Sequence, residues 1–373
     1  MKPLRWAEGG FLLALTLLLF LYPAESAAGA RQGLVLCRDL LIPALFPFFV
    51  LSSLLIATGT AGRLVRPLTV VTRPLLGIGG AGTAALLLGL VGGYPVGLRT
   101  LAELKQQEEC PDREARRTAL LCNSCGPAFF LGAVGNGVFG SRQAGVLLFC
   151  ANVSALLLLG LALRMIWGSA EDGERYIRQD YTPLSELFPD CVRGAFSSVL
   201  GVCGYVILFS VLSALADCTG FLGLCQRMLD PLFRGPGGET LTKSLTVGLL
   251  EISTGTAVLQ DARSAKAALP LAAFLLGWGG LSVHGQSLPF LRQAGGEAGP
   301  YLTAKLIHGL LSAGVMVILL RLFPLSLPAM AAPAGFPSPN LPGRELTALW
   351  LLSGAHFFLS RRKKGGKSGE TIV

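Results

Sequence analysis

Long apolar stretches recur along the whole chain and are separated by short polar or glycine-rich segments. The strong ones lie at 34–57, 82–96, 119–138, 144–167, 195–216, 245–259, 267–283, 302–323 and 346–359, after a first one at 11–22. A straight helix needs about 20 apolar residues to cross the hydrocarbon of a bilayer. Several stretches reach that length and several fall short. The pattern therefore predicts an all-α polytopic membrane protein in which long helices alternate with broken or re-entrant segments.

The first apolar stretch follows Lys2 and Arg5 and precedes the small residues 28–30. That order imitates a secretory signal peptide with a small-residue cleavage site. Trp6 and Tyr22, however, place aromatic residues at both ends of the stretch, as a membrane-spanning helix prefers. We therefore expect a retained first helix, with cleavage as the alternative.

Composition supports the membrane prediction. Of 373 residues, 52% are hydrophobic and 14% are charged, whereas a soluble domain carries about 25% charged residues. A soluble enzyme is excluded by this balance. A disordered chain is excluded too, because so much Leu, Val and Ile would collapse.

Basic residues are in excess and lie at the ends of apolar stretches. The 31 Lys and Arg residues outnumber the 22 Asp and Glu residues, which gives a net charge of +9. Because they cluster at 2–5, 63–73 and 361–367, we interpret the excess as the positive-inside signal of the cytoplasmic side. Aromatic residues do not alternate with these charges, as binding to single-stranded nucleic acid would require. We therefore expect the lipid bilayer, and no nucleic acid, as a partner.

The nine cysteines lie mostly inside apolar stretches, where Cys packs as a small hydrophobic residue. Their odd number argues against a disulfide framework. Cys122 and Cys125 form a C-x-x-C pair, but no second pair and no nearby His complete a zinc site. We therefore predict neither a metal nor a cofactor.

Short strings on either side of a polar segment, 169–190, recur in the same order. They pair 54–59 with 215–220, Pro74 with Pro231, 89–90 with 248–249 and 163–164 with 320–321. Because the offset stays between 157 and 161 residues, we interpret the series as an internal duplication. The sequence leaves open whether the two repeats are parallel or inverted.

The duplication predicts how the chain is organised. We expect an N-terminal membrane helix and loop at 1–33, a first repeat at 34–168, a polar linker at 169–190, a second repeat at 191–323, and a linker, a short last helix and a basic tail at 324–373. Each repeat is expected to contain long helices and two broken or re-entrant segments. In transporters, such paired interruptions point to the central binding site.

The first repeat is interrupted at Gly92–Gly97 and at Cys122–Pro127. Proline removes a backbone donor and glycine allows backbone angles that other residues avoid, so a helix must open at both places. Freed amide and carbonyl groups are tolerated at membrane depth only around a cavity or inside protein. The candidate substrate-binding residues here are Gly93, Tyr94, Pro95, Asn123, Ser124 and Gly126.

The second repeat is interrupted at Glu251–Gly255 and at Gly277–Gln286. An ionisable residue inside an apolar stretch is a functional candidate, because its burial costs several kcal/mol unless it is paired or neutral. Histidine exchanges protons near neutral pH. The candidate substrate-binding residues here are Ser253, Thr254, Gly280, Ser282 and Gln286, and the candidates for proton or ion coupling are Glu251 and His284.

Each of these residues also has a structural interpretation. The glycines and prolines of the breaks can serve close helix packing and kinks. Glu251 can lie at the membrane surface, and His284 can be a structural hydrogen-bonding residue. For His308 and His356, each alone in an apolar stretch, we expect only a structural role.

Four of these strings, at 92–100, 122–135, 248–255 and 279–286, resemble the sporulation integral membrane protein family of the YlbJ type. This family is a branch of the nucleoside-recognition, or Gate-domain, membrane proteins. The resemblance covers about 34–323 and implies two Gate-type repeats. It also implies a protein in a membrane around the developing spore of endospore-forming bacteria, with a part in moving dipicolinic acid. Cys125 departs from the Ser or Thr expected at its position, which weakens a role for a hydroxyl there.

These observations together predict a transporter or channel for a small organic anion, with dipicolinate as the substrate that the resemblance implies. Dipicolinate is a planar dianion, and the N-termini of broken helices offer N–H groups to carboxylates. Its ring can lie against Tyr94 or Trp278, and protons or a cation can couple through Glu251 or His284. The alternatives are a nucleoside transporter of the same fold and a non-transporting envelope protein. Because no catalytic triad or carboxylate pair is recognisable, we do not expect an enzyme. The sequence leaves open whether the protein forms homo-oligomers.

Overall fold

The computed structural model describes residues 2–58, 60–168 and 184–325, and its regular elements are all helices. The part before residue 169 contains α1 (Lys2–Leu21), α2 (Pro23–Leu36), α3 (Ile42–Ala57), α4 (Thr60–Leu76), α5 (Gly80–Gly92), α6 (Val96–Gln106), α7 (Asp112–Ala119) and α8 (Arg142–Trp167), with π-helical turns at Cys37–Leu41 and Phe129–Val138. The part after residue 183 contains α9 (Leu184–Cys218), α10 (Phe221–Leu229), α11 (Gly238–Leu250), α12 (Ile252–Val258), α13 (Ala265–Trp278), α14 (Gly280–Gln293) and α15 (Ala298–Leu322).

Four helical segments of the described residues are long and apolar enough to cross a membrane. They are Arg142–Trp167, Leu184–Cys218, Ala265–Gln293 and Ala298–Leu322. Two further pairs, Gly9–Leu21 with Pro23–Asp39 and Val65–Leu76 with Gly80–Gly92, pass the same test together and are bent by 97° and 98°. Large apolar side chains cover the outside of these helices, as a lipid-facing surface requires. The predicted all-α polytopic membrane fold is confirmed.

Glycines let neighbouring helices pack backbone against backbone. A Cβ at Gly29 would lie 2.8 Å from the carbonyl oxygen of Ser210, and a Cβ at Gly33 would lie 2.8 Å from the Cα of Ile207. This small-xxx-small pair holds α2 against α9 in the way that membrane helices associate. Gly277 similarly brings α13 close to α15, because its Cβ would lie 2.7 Å from the Cα of Gly309.

Two predicted domain boundaries fall inside helices. Residue 34 lies within α2, and the last part of the predicted linker 169–190 belongs to α9, which begins at Leu184 and has 35 residues. The helix extends this far because Leu184, Leu187 and Cys191 place apolar residues on one helical face. The rest of that linker, His356 and the predicted last helix and basic tail lie outside the described residues. The duplication stays a prediction, with which the equal 13-residue lengths of α5 and α11 are compatible.

Candidate functional site

The first break is a tight turn between α5 and α6. Helix α5 ends at Gly92, Gly93 adopts a φ of 79°, and α6 begins at Val96. A Cβ at Gly93 would lie 2.9 Å from the backbone nitrogen of Gly126 in the second break. Glycine is therefore required at position 93 both by its left-handed backbone and by this contact.

The second break runs between α7 and the π-helical turn Phe129–Val138, and its side chains bind neighbouring helices. The Asn123 amide donates to the Ser287 hydroxyl at 2.9 Å and to the Tyr301 hydroxyl at 2.6 Å. The Ser124 hydroxyl donates to the Asn152 side-chain oxygen at 3.0 Å. Both side chains are buried and their donor groups are engaged, whereas the Asn123 side-chain oxygen has no partner among the described residues. They hold the break against α8, α14 and α15.

The third break is narrower than the sequence predicts. Of the predicted segment Glu251–Gly255, only Glu251 is extended, and α12 begins at the next residue. The Glu251 carboxylate accepts hydrogen bonds from the backbone N–H groups of Ser253 at 3.0 Å and Thr254 at 2.6 Å. This N-cap satisfies the first amides of the helix, so the chain becomes helical at once. Glu251 itself is 0% exposed, which excludes a position at the protein surface.

The fourth break is narrower as well and consists of the junction between α13 and α14. Gly279 and Gly280 have φ values of 95° and 78°, whereas Ser282, His284 and Gln286 lie inside α14. A Cβ at Gly280 would lie 3.1 Å from the carbonyl oxygen of Gly248, beside the third break. The two left-handed glycines interrupt the helix only at this point, and Ala265–Gln293 still runs as one candidate membrane span. The wider opening predicted for 277–286 is therefore wrong.

Tyr94 joins the first break to the fourth. Its hydroxyl donates to the carbonyl oxygen of Leu276 at 2.8 Å, near the end of α13. A Cβ at Gly279 would lie 3.3 Å from the same hydroxyl oxygen. The four breaks, which are far apart in the sequence, therefore meet at one place in the fold.

A small cavity of about 40 Å³ lies where the breaks meet. Predicted site residues line much of its wall: Gly93, Tyr94, Gly126, Glu251, Ser253, Ser282 and Gln286. The rest of the wall is Leu41, Leu45, Cys125, Phe129, Val202, Val206, Ile252 and Val283, and every residue of the wall is buried. A buried water needs about 10–15 Å³ of such space. The cavity is therefore small and has room for only a few water molecules.

The other predicted site residues lie outside this wall. Pro95 lines a larger neighbouring cavity of about 730 Å³. Asn123, Ser124, Thr254, Gly280 and His284 line neither cavity. His284 packs edge-on against Trp278, with ring centroids 4.4 Å apart, and against Tyr301 at 5.6 Å. Neither of its ring nitrogens has a hydrogen-bond partner among the described residues.

Sequence reasoning missed Lys305, a buried lysine of α15 that is 1% exposed. Its ammonium donates to the carbonyl oxygen of Asn123 at 2.8 Å and lies 5.3 Å from the centre of the Tyr94 ring. In the part of the chain that the structure describes, no Asp or Glu forms an ion pair with it. The rule that selected Glu251, an ionisable residue within an apolar stretch, also applies to Lys305 at 302–323.

His308 belongs to the same network, although in the sequence it stands alone in an apolar stretch. One ring nitrogen, Nδ1, lies 3.3 Å from the Lys305 ammonium, and the other, Nε2, lies 3.0 Å from the carbonyl oxygen of Asn152. The Asn152 amide in turn donates to the Ser312 hydroxyl at 3.3 Å. Since buried polar groups are costly unless they are hydrogen-bonded, this network fixes α8 against α15.

Comparisons with known proteins agree with this architecture. Residues 40–142 match the model of the Gate family, described as nucleoside recognition. The chain is also 30% identical over 340 residues to the sporulation integral membrane protein YlbJ of Bacillus subtilis strain 168, across 83% of this chain and 81% of the relative. No solved structure matches the chain. The resemblance seen in the sequence is thus confirmed, and the chain belongs to the YlbJ family of sporulation integral membrane proteins with a Gate domain.

Proposed function

We propose that this protein is a transporter or channel that moves a small organic anion, dipicolinate, across a membrane surrounding the developing spore. The observation that carries the proposal is the convergence of four helix breaks on one buried cavity. Interrupted helices at membrane depth expose backbone groups that lipid cannot satisfy. Transporters use such breaks to bind their substrates near the middle of the bilayer.

The charges around the cavity support an anion as the substrate. Helices α6 and α14 begin beside the cavity, and the N-terminal end of a helix carries a partial positive charge. Lys305 lies behind the Tyr94 ring that forms part of the wall. An anion in the cavity would supply the negative charge that this lysine lacks among its neighbours.

Glu251 suits a role in coupling transport to protons. Its carboxylate lines the cavity, and an ionised carboxylate repels an anion at short distance. Anion entry is therefore easier when Glu251 carries a proton. On this proposal the anion and the proton enter together, and His284, buried beside Trp278, is the second group able to hold a proton.

The small volume of the cavity implies that substrate binding needs a conformational change. A volume of about 40 Å³ is far below the size of ordinary ligand pockets, which measure about 300–1,000 Å³. Gly93, Gly126 and Gly280 bring the breaks into backbone contact. Separation of these contacts would enlarge the cavity without unfolding a helix.

Uptake of labelled dipicolinate into vesicles containing the purified protein tests the proposal, with empty vesicles as background. Gln286→Leu removes a polar group from the cavity wall at nearly constant volume, and we expect it to lower uptake at least about tenfold if the amide binds a carboxylate. Gln260→Leu makes the same change at an exposed position and should leave uptake unchanged.

The same vesicles distinguish the two alternatives. Uptake of a nucleoside such as uridine in place of dipicolinate would favour the function that the Gate family description suggests. Folded protein that carries neither compound would overturn the proposal and favour a non-transporting envelope role.

A further inference from the structure

A larger cavity adjoins the small central one and leads to the protein surface. It has a volume of about 730 Å³ and is lined by residues of α3, α6, α9 and α14. Val202 and Gln286 line both cavities. The central cavity has only buried residues in its wall, whereas Asp190, Ser197 and Gly201 of the larger one are exposed. We name the larger cavity the access vestibule.

One long wall of the access vestibule is a single face of α9. The lining residues Leu187, Cys191, Gly194, Ser198, Gly201 and Tyr205 are three or four positions apart. At 1.5 Å per residue this face runs for about 27 Å. A Cβ at Gly194 or Gly201 would meet no atom within 4 Å, so the small residues leave real space.

The opposite wall, from α6, carries Arg99 directly after the first break. Its Nη1 donates to the Ser198 hydroxyl at 2.7 Å, and that hydroxyl donates to the carbonyl oxygen of Gly194 at 2.9 Å. Its Nε lies 3.0 Å from a carboxylate oxygen of Glu103. The Arg99 and Glu103 side chains are 41% and 44% exposed. Ser198 thus holds the Arg99 guanidinium across the vestibule, while Glu103 binds the Nε side of the guanidinium.

We propose that the access vestibule is the path by which the transported anion reaches the central cavity, and that Arg99 binds its carboxylate there in place of Glu103. This inference rests on the proposed function. A half-exposed pair on one helix contributes little, so an incoming carboxylate can compete with Glu103. A guanidinium can bind a carboxylate through two parallel hydrogen bonds. Asp190, the other carboxylate of the vestibule, is paired with Arg193 at 2.8 Å.

Substitutions at the two charged residues test the binding step through the KM for dipicolinate uptake into vesicles. Arg99→Gln should raise the KM about tenfold or more, and Arg99→Lys should raise it less, because a charge remains without the planar fork. Glu103→Gln should lower the KM, since it removes the competing carboxylate. A purely structural Arg99–Glu103 pair would not produce this opposite change.

A cavity-filling substitution tests the path. Gly201→Leu projects a side chain into the access vestibule, where a Cβ meets nothing within 4 Å, and should lower the maximal uptake rate at least about tenfold if the path is blocked. Gly204→Leu is the matched control, because Gly204 is exposed on the same helix, has equal space and does not line the vestibule.

The outcomes separate the two proposals. Wild-type protein that takes up no dipicolinate would overturn the proposed function and, with it, the ligand assigned to the vestibule. Wild-type uptake that is unaffected by Arg99→Gln and by Gly201→Leu would overturn the access vestibule alone. An equal loss of the maximal uptake rate in Gly201→Leu and Gly204→Leu would also overturn the access vestibule, because the effect would then come from changes to the surface of α9.

Discussion

Lys305→Met separates a functional role of the buried lysine from a structural one. The substitution removes a hydrogen bond from the ammonium to the Asn123 carbonyl oxygen, 2.8 Å long, and bonds to charged groups contribute about 1.5–3 kcal/mol. It also removes a buried charge that has no ion-pair partner among the described residues, which relieves a desolvation cost of several kcal/mol. Methionine fills a similar space with an unbranched chain. We therefore expect a folded variant whose free energy of unfolding stays within about 2 kcal/mol of the wild type.

Transport should respond much more strongly than stability. The Lys305 ammonium lies 5.3 Å from the centre of the Tyr94 ring, so an anion stacked on the other face of that ring would lie roughly 9 Å from it. At an effective dielectric constant of 20, one unit of negative charge at that distance gains about 2 kcal/mol. Loss of that attraction corresponds to a rise of about 20-fold or more in the KM for dipicolinate.

The assay is initial uptake into vesicles across a range of dipicolinate concentrations, together with thermal unfolding of the purified protein in detergent. Lys266→Met is the control, because Lys266 is exposed at the start of α13, and it should change neither quantity. A wild-type KM in Lys305→Met would refute the electrostatic argument. A loss of stability of several kcal/mol would instead show that Lys305 is needed for folding.

Two further substitutions test other parts of the site. Glu251→Gln keeps one acceptor for the amides of α12 but removes the exchangeable proton, so the variant should fold. Its uptake should lose the pH dependence of the wild type. An unchanged pH profile, measured from pH 5 to 8, would exclude Glu251 from coupling. Gly97→Ala places a Cβ against the carbonyl oxygen of Cys122 and should lower the free energy of unfolding by about 1–3 kcal/mol. Gly132→Ala is the control and should leave the protein as stable as the wild type, because a Cβ there meets nothing within 4 Å. Equal thermal stability of the two variants would show that the breaks are not tightly packed.

The sequence located the first two breaks well because glycine and proline act locally. Gly93 and Pro95 interrupt a helix through their own backbone properties, whatever surrounds them. The other two breaks are narrower than the sequence predicts, because the polar residues beside them belong to helices. Glu251 in fact caps α12, and Ser282 and Gln286 project from α14, where a helix keeps its backbone paired and still presents polar side chains to a cavity.

The buried network could not be predicted from sequence, because its partners are far apart along the chain. Asn123 bonds Ser287 and Tyr301 across 164 and 178 residues, and Lys305 bonds the Asn123 carbonyl across 182. Such pairs depend on how α14 and α15 pack against the second break. Only the unusual position of Lys305 inside an apolar stretch carried a local signal, and the same rule that selected Glu251 applies to it.

The network also changes how the two halves contribute to the candidate site. The sequence predicts substrate-binding residues in the breaks of both halves. In the structure the Asn123 amide nitrogen and the Ser124 hydroxyl of the second break donate to side chains of α8, α14 and α15, and only the Asn123 side-chain oxygen has no partner among the described residues. The first half contributes to the cavity wall the backbone of Gly93 and Gly126 and the ring of Tyr94. The charged and amide side chains of the wall, Glu251 and Gln286, come from the second half. Substrate chemistry should therefore depend mainly on side chains of the second half, whereas substitutions in the second break should act first on stability, because they leave buried partners unpaired.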